Sequence, residues 1–157
     1  IAPPPGEANR NNWATPPDLF RRIDAEFHFV HDICAEPWSA KCDSYWTAQD
    51  DAFTKDWSDI DGWAWLNPPF DDLGKWTAAA AIEAHNGARI VMLLPAHRCE
   101  QEWFAKNVIG SAREVRFIRK RVAYIAPGGI GSSSPAFGSM LVVYDGPNMG
   151  GTRCLSL

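Results

Sequence analysis

The chain has 157 residues, 46% of them hydrophobic, with eight tryptophans and a formal net charge of −4. This composition excludes a disordered chain, and no apolar run reaches the roughly 18–20 residues of a membrane-spanning helix. The N-terminus lacks the layout of a secretory signal, and at this length one domain is the expectation.

The charge is unevenly spread. Residues 1–79 carry 6 Lys+Arg and 14 Asp+Glu, whereas residues 80–125 carry 8 Lys+Arg and 4 Asp+Glu. A basic second half can hold a polyanion on one face, or be an ordinary solvated surface. Cys34, Cys42, Cys99 and Cys154 form neither CxxC pairs nor a zinc spacing, so free thiols, a reducing cytoplasm and no metal are expected.

Ile1 to Asn12, with three consecutive prolines, reads as a flexible arm ahead of a single domain over residues 13–157. Thr15-Pro16-Pro17-Asp18 resembles a helix start, with Thr15 as N-cap and Pro16 at the first position. Leu19, Phe20, Ile23 and Phe27 recur at helical spacing to about Glu26. Phe27 to Asp32 suits a first strand. Cys34 to Asp61 is irregular, with one short strand near Asp43 to Trp46.

Trp63 to Leu66 suits a buried strand, bounded by Gly62 and by Pro68-Pro69, which cannot continue a ladder. Asp71 to Gly74 reads as a loop and Lys75 to His85 as a helix stopped by Asn86-Gly87. Ala88 to Pro95 is near-continuously apolar, as parallel strands tend to be. Glu100 to Ile109 is predicted helical. Glu114 to Ile118, Val122 to Ile125 and Ser139 to Tyr144 read as strands, and Ala126 to Gly138 as a loop. The alternation predicts an α/β fold with a mostly parallel sheet and an antiparallel edge strand.

The chemistry concentrates at Asn67-Pro68-Pro69-Phe70. Asn67 falls at the carboxyl end of a strand, where open α/β sheets bind ligands. The four residues match the (Asp, Asn or Ser)-Pro-Pro-(aromatic) pattern of methyltransferases that modify exocyclic amino groups. An aromatic amine is a poor nucleophile because its lone pair is delocalised. Asn67 and the Pro68 carbonyl can accept both amino hydrogens and favour localisation of that lone pair. The prolines stiffen the ledge, and Phe70 can stack on a flat base. A plain Pro-Pro turn, with Asn67 capping and Phe70 in the core, would use the same residues.

A longer series surrounds this stretch: Trp13 with Thr15-Pro16, Glu26-Phe27, Asp32 with Cys34-Ala35, Asp51-Ala52-Phe53 and Asp56-Trp57. It continues through Trp65 to Phe70, Val91 to Ala96 and Trp103-Phe104. In this order it resembles the small phage-encoded DNA N-6-adenine methyltransferase family over residues 12–145. The resemblance implies a Rossmann-like fold, S-adenosylmethionine as cofactor and adenine in DNA as substrate. A duplex base cannot otherwise reach a pocket formed by Asn67, Pro68 and Phe70, so base flipping with direct transfer is expected. The resemblance also implies the cytoplasm of a bacterial host, in a phage or prophage context; a monomer or weak dimer is expected.

Carried over by that resemblance, Thr15 and Pro16 touch the cofactor's methionine end, and Asp32 lies beside its amine, followed by Cys34 and Ala35. Asp51 with Phe53 matches the pair that recognises the cofactor's adenine, and Asp43 is a weaker candidate for the ribose. Methyltransferases of this broad class usually carry a glycine-rich turn after the first strand. Asp32 to Pro37 has no glycine, although the small family tolerates an alanine there. Only 35 positions separate Asp32 from Asn67, so the first half of the sheet must be pared down.

Arg98, Arg116, Arg119, Lys120 and Arg121 form the candidate DNA-binding set, with a solvated strand edge as the alternative. His97 and Arg98 follow a strand end and can line the cleft, and Ser132 to Ser134 can close over a substrate. His28 and His31 read as fold residues, and Cys34 is not needed as a nucleophile. The same motif also fits cytosine N-4, RNA adenine or protein glutamine as acceptor. A non-catalytic nucleic-acid-binding module is a further alternative.

Overall fold

The computed structural model describes residues 13–129 and 131–157; the expected arm over 1–12 lies outside them. Helix α1 spans Pro17–Phe27 and buries Phe20, Ile23 and Phe27, one apolar stripe at helical spacing. Its N-cap is Pro16, without a side-chain cap bond, and Pro17 opens the first turn. The cap is thus one residue later than expected: a proline at the first position has no N–H to satisfy, so Thr15 is released from capping. His28 closes the helix in a left-handed conformation, its N–H donating to Asp24 O at 2.8 Å. That turn consumes residues expected in the first strand, and β1 is only His31–Asp32.

The remaining strands are β2 (Trp63–Leu66), β3 (Arg89–Pro95), β4 (Glu114–Phe117), β5 (Tyr124–Ile125), β6 (Ser132–Ser133), β7 (Ser139–Asp145) and β8 (Arg153–Ser156). Six form one sheet in the order β1-β2-β3-β7-β4-β8, while β5 and β6 pair separately. β1, β2 and β3 run parallel, as do β4 and β8, and β7 is antiparallel to both β3 and β4. The α/β class and mostly parallel sheet are as expected. The antiparallel strand β7 lies inside the sheet, because β4 pairs with its side away from β3, and β8 is the edge.

Side-chain alternation divides the core into two layers. Ile90, Met92 and Leu94 of β3 join a cluster with Leu73, Ala80 and Ala84 of helix α2 (Leu73–His85). Val91 and Leu93 face the other way, onto Phe20, Ile23 and Phe27 of α1. With both faces covered, β3 is apolar almost without interruption, the signal that made it legible. At the start of β2, Gly62 has φ 144°, and a Cβ there would meet Val30 Cγ2 at 2.9 Å.

Between β1 and β2 the chain makes two 3-10 turns, Ala52–Thr54 and Trp57–Asp59, and no crossover helix. The strand expected near Asp43 to Trp46 is reduced to a parallel bridge between Asp32 and Tyr45. This half of the sheet is pared down. The helix expected over 100–109 contains a π-helical turn, Phe104–Val108, where Tyr144 Oη donates to Asn107 O at 2.8 Å. All four cysteines are unpaired.

Candidate active site

β1 and β2 end side by side, with Asp32 beside Trp65 and Leu66 beside Met92 in register, and β3 runs on to Pro95. Two cavities open at this edge. The first, of about 330 Å³, is bordered by Thr15, Asp32, Cys34, Ala35, Asp51 and Phe53, with Trp13 and Asn67 at one side. Six of the seven residues expected on the cofactor side therefore converge. Pro16 is not among the lining residues; it begins α1 instead.

Asp32 is 2% exposed and is held by the backbone N–H groups of Lys41 at 3.0 Å and Cys34 at 3.3 Å. Burial pushes its carboxyl up to about 7, against the lowering effect of those two bonds and of the Lys41 charge. Thr15 is 1% exposed, and its Oγ1 has no hydrogen-bond partner. An unpartnered buried hydroxyl is costly, and its position on a cavity wall leaves room for a ligand to bond it. Cys34 is pushed up to about 12 by burial and by neighbouring Asp32 and Glu36, so it stays a neutral thiol.

Asp51 adopts φ 51°, a left-handed conformation for a residue with a side chain, and its carboxylate accepts the Phe53 N–H at 3.2 Å. The cap fixes Phe53, whose ring lies 4.3 Å from that of Trp76 and 4.1 Å from Lys75 Nζ. Trp76 and Lys75 also border the cavity. Sequence reading placed them only on a helix, because nothing in local periodicity marks which α2 residues face Phe53. Asp43 is exposed and is not among the lining residues.

The second cavity, of about 310 Å³, is lined by Asn67, Pro68, Phe70 and Arg98 with Tyr124, Ser133, Pro135, Phe137 and Trp13. Phe70 meets Tyr124 edge-on at 6.0 Å and Phe137 at 6.1 Å. Tyr124 is fixed in turn, its hydroxyl 2.8 Å from Ser139 Oγ. Phe137 stacks on His97 at 4.4 Å. The short β5–β6 ladder thus folds the expected loop into a wall, with Ser133 on it. Tyr124 and Phe137 were missed as site residues, since they reach Phe70 only through this tertiary fold.

Asn67 and Trp13 belong to both cavities. Asn67 Nδ2 donates to the Trp13 carbonyl at 2.9 Å. A carbonyl can only accept, so this bond assigns the amide: nitrogen to Trp13, Oδ1 left as the acceptor. The Trp13 segment is itself tied to β5, through Ala14 N–H to Ile125 O and Ile125 N–H to Ala14 O, both 2.9 Å.

The basic residues separate. Arg98 and Arg121 lie near the second cavity, Arg98 as lining and Arg121 through Nη1 donating to Pro135 O at 3.0 Å. Lys120 is exposed, and Arg119 bonds Ser156 Oγ at 3.0 Å near the β8 edge. Arg116, expected as a phosphate contact, is paired within the fold. Its guanidinium grips Glu26 at 2.6 and 2.7 Å and Glu114 at 2.6 Å, pairing across α1 and β4. His31 is buried against Trp46, a packing role as expected.

The two cavities thus meet at one strand-end amide, which is a wall of both. The chain belongs to the DNA N-6-adenine-methyltransferase (Dam) family, whose model matches residues 5–155. It is also similar to a protein of Escherichia coli (strain K12) named "Putative methyltransferase YfdM". The two are 38% identical over 65 residues, which cover 38% of this chain and 71% of that protein. Family membership makes the protein a methyltransferase and implies S-adenosylmethionine as methyl donor and DNA as substrate. Among the described residues no helix is long and apolar enough to cross a membrane.

Proposed function

We propose that the protein methylates the N-6 amino group of adenine in DNA, with the base flipped out of the helix and held at Asn67 to Phe70. The observation that carries this reading is the position of Asn67. It borders both cavities, with its amide nitrogen committed to Trp13 and its Oδ1 available as an acceptor.

The first cavity fits S-adenosylmethionine by its chemistry. The unpartnered Thr15 hydroxyl and the buried Asp32 carboxylate suit the amino-acid end, and Phe53 with Asp51 suits the adenine end. When bound, the cofactor supplies an electrophilic methyl group. The aromatic second cavity suits a planar base, with Phe70 as its stacking face and Tyr124 and Phe137 as further walls. A base inside a duplex cannot reach such a cavity without leaving the stack.

Asn67 Oδ1 and the Pro68 carbonyl accept the two amino hydrogens, direct the nitrogen lone pair toward the donor cavity and stabilise the positive charge that develops on nitrogen. With S-adenosylmethionine held by the Thr15, Asp32 and Phe53 side, its methyl group would pass to this nitrogen and its sulfur would leave as the thioether. One amino proton then leaves to solvent. Arg121 supplies positive charge for the phosphate backbone beside the site, with Lys120 and Arg119 further along the same segment.

The test is incubation of unmethylated DNA with the protein and S-adenosylmethionine, followed by nucleoside mass spectrometry. N-6-methyladenine is the expected product. N-4-methylcytosine, or methyl transfer only to RNA or to protein glutamine, would replace the acceptor. No transfer together with no cofactor binding would leave a non-catalytic module.

A further inference from the structure

We propose that Arg98 is a positioning residue for methyl transfer: it holds the backbone of Phe70 and so aims the ring on which the target base stacks. The proposal rests on the reaction proposed above and assigns a part in it that sequence reading gave to phosphate contact.

Arg98 Nη1 donates to the Phe70 carbonyl at 2.7 Å. Arg98 follows the end of β3, whereas Phe70 lies just past β2, so the bond joins the ends of two adjacent parallel strands. The need for such a bond follows from the motif. Pro68 and Pro69 carry no N–H, so half of the four-residue ledge cannot be pinned by its own backbone donors. The fixing contacts come instead from outside the ledge: Trp13 O at its first residue and Arg98 at its last. Arg98 is half-buried, and its side chain borders the same cavity as Phe70, Tyr124 and Phe137. Its guanidinium is therefore part of the wall, whereas Lys120 is exposed. A small error in ring placement matters, because a shift near 1 Å at a reacting geometry costs on the order of 100-fold in rate.

Arg98→Met and Arg98→Lys distinguish the roles, assayed with the whole protein on a duplex and with cofactor titrations, DNA binding at several salt concentrations and thermal melting. In Arg98→Met, kcat is expected to fall about 10- to 100-fold. Arg98→Lys, which keeps a donor but not the planar fork, should fall between it and wild type. DNA affinity, its salt slope and cofactor affinity should stay close to wild type.

A retained kcat with weaker DNA binding and a salt slope smaller by about 0.9 would make Arg98 a phosphate contact and overturn the proposal. Lowered melting with parallel loss of cofactor binding in both variants would make it a folding residue, and would overturn the proposal equally. Wild-type protein that methylates no DNA adenine would instead overturn the assigned reaction, taking this proposal with it.

Discussion

Asn67 donates its amide to the carbonyl of Trp13 across 54 residues of sequence, at 2.9 Å. The bond decides which end of the amide faces the aromatic cavity. An amide free to rotate would present its NH2 half the time, and two donors facing an amine repel. The Trp13 segment, tied to β5, thus borders both cavities and holds the Asn67 amide in one orientation. Orientation by a fixed dipole is where active sites gain most, because no reorganisation is needed during the reaction.

Replacing Thr15 by valine should separate binding from stability. Thr15 Oγ1 is buried without a partner, so removing it relieves a desolvation cost and leaves the apolar packing intact. The variant should melt at or slightly above the wild-type temperature. Cofactor affinity, read by calorimetry, should fall about tenfold, corresponding to one lost hydrogen bond of about 1.4 kcal/mol.

Asp32 gives a pH signature. Its carboxyl is raised to about 7 by burial, so the folded protein binds a proton there over a range, about pH 4–7, in which the unfolded chain has released it. This group's contribution to stability is therefore greatest at low pH and is lost as pH rises through about 7. Glu26 and Glu114 are lowered, so their contributions run the opposite way. The comparison with Asp32→Asn isolates the term: wild type should lose stability relative to the variant between about pH 4 and 7. A cationic cofactor ammonium needs the carboxylate, so wild-type cofactor affinity should weaken below about pH 7, approaching tenfold per pH unit. Asp32→Asn should bind weakly at every pH.

Glu114 is expected to matter for folding and not for transfer. It is 2% exposed and carries Arg113, Arg116 and Arg153 on its two oxygens. Burial works to raise its carboxyl, but the bonds and charges of Arg116 and Arg113 hold it lowered. Glu114→Gln leaves those cations without their central anion, a loss of about 3 kcal/mol by urea unfolding. Specific activity of the folded fraction should be unchanged.

What was legible in the sequence was decided by burial. β2 spans the expected Trp63 to Leu66, and β3 nearly the expected run, because both are covered on two faces and read as uninterrupted apolar stretches. β8 was not legible: all four of its residues are exposed, and their pattern is indistinguishable from a polar tail. The residues that border the two cavities at Asn67 to Phe70 and around Asp32 were singled out by their types and order. Thr15 was expected both as a cap and on the cofactor side; α1 starts at Pro17 with Pro16 as its cap, so only the second expectation is compatible with its place on the cavity wall. The β5 segment was expected as a strand, but its partner β6 is two serines inside a stretch that reads as a loop, so the wall formed by Tyr124 and Phe137 was not legible. Arg116 stood in the densest basic cluster, and Glu26, its partner, is 90 positions away. Local charge density carries no information about such pairs.

The most direct test is Asn67→Ala, assayed by transfer of labelled methyl to unmethylated DNA, with cofactor affinity measured on the same preparation. Loss of the acceptor that orients the amine should lower kcat by at least about 100-fold, or roughly 2.7 kcal/mol. Cofactor affinity should stay within about threefold of wild type, since Thr15, Asp32 and Phe53 remain in place. Wild-type transfer by Asn67→Ala would contradict the central claim that this amide holds the acceptor nitrogen between the two cavities.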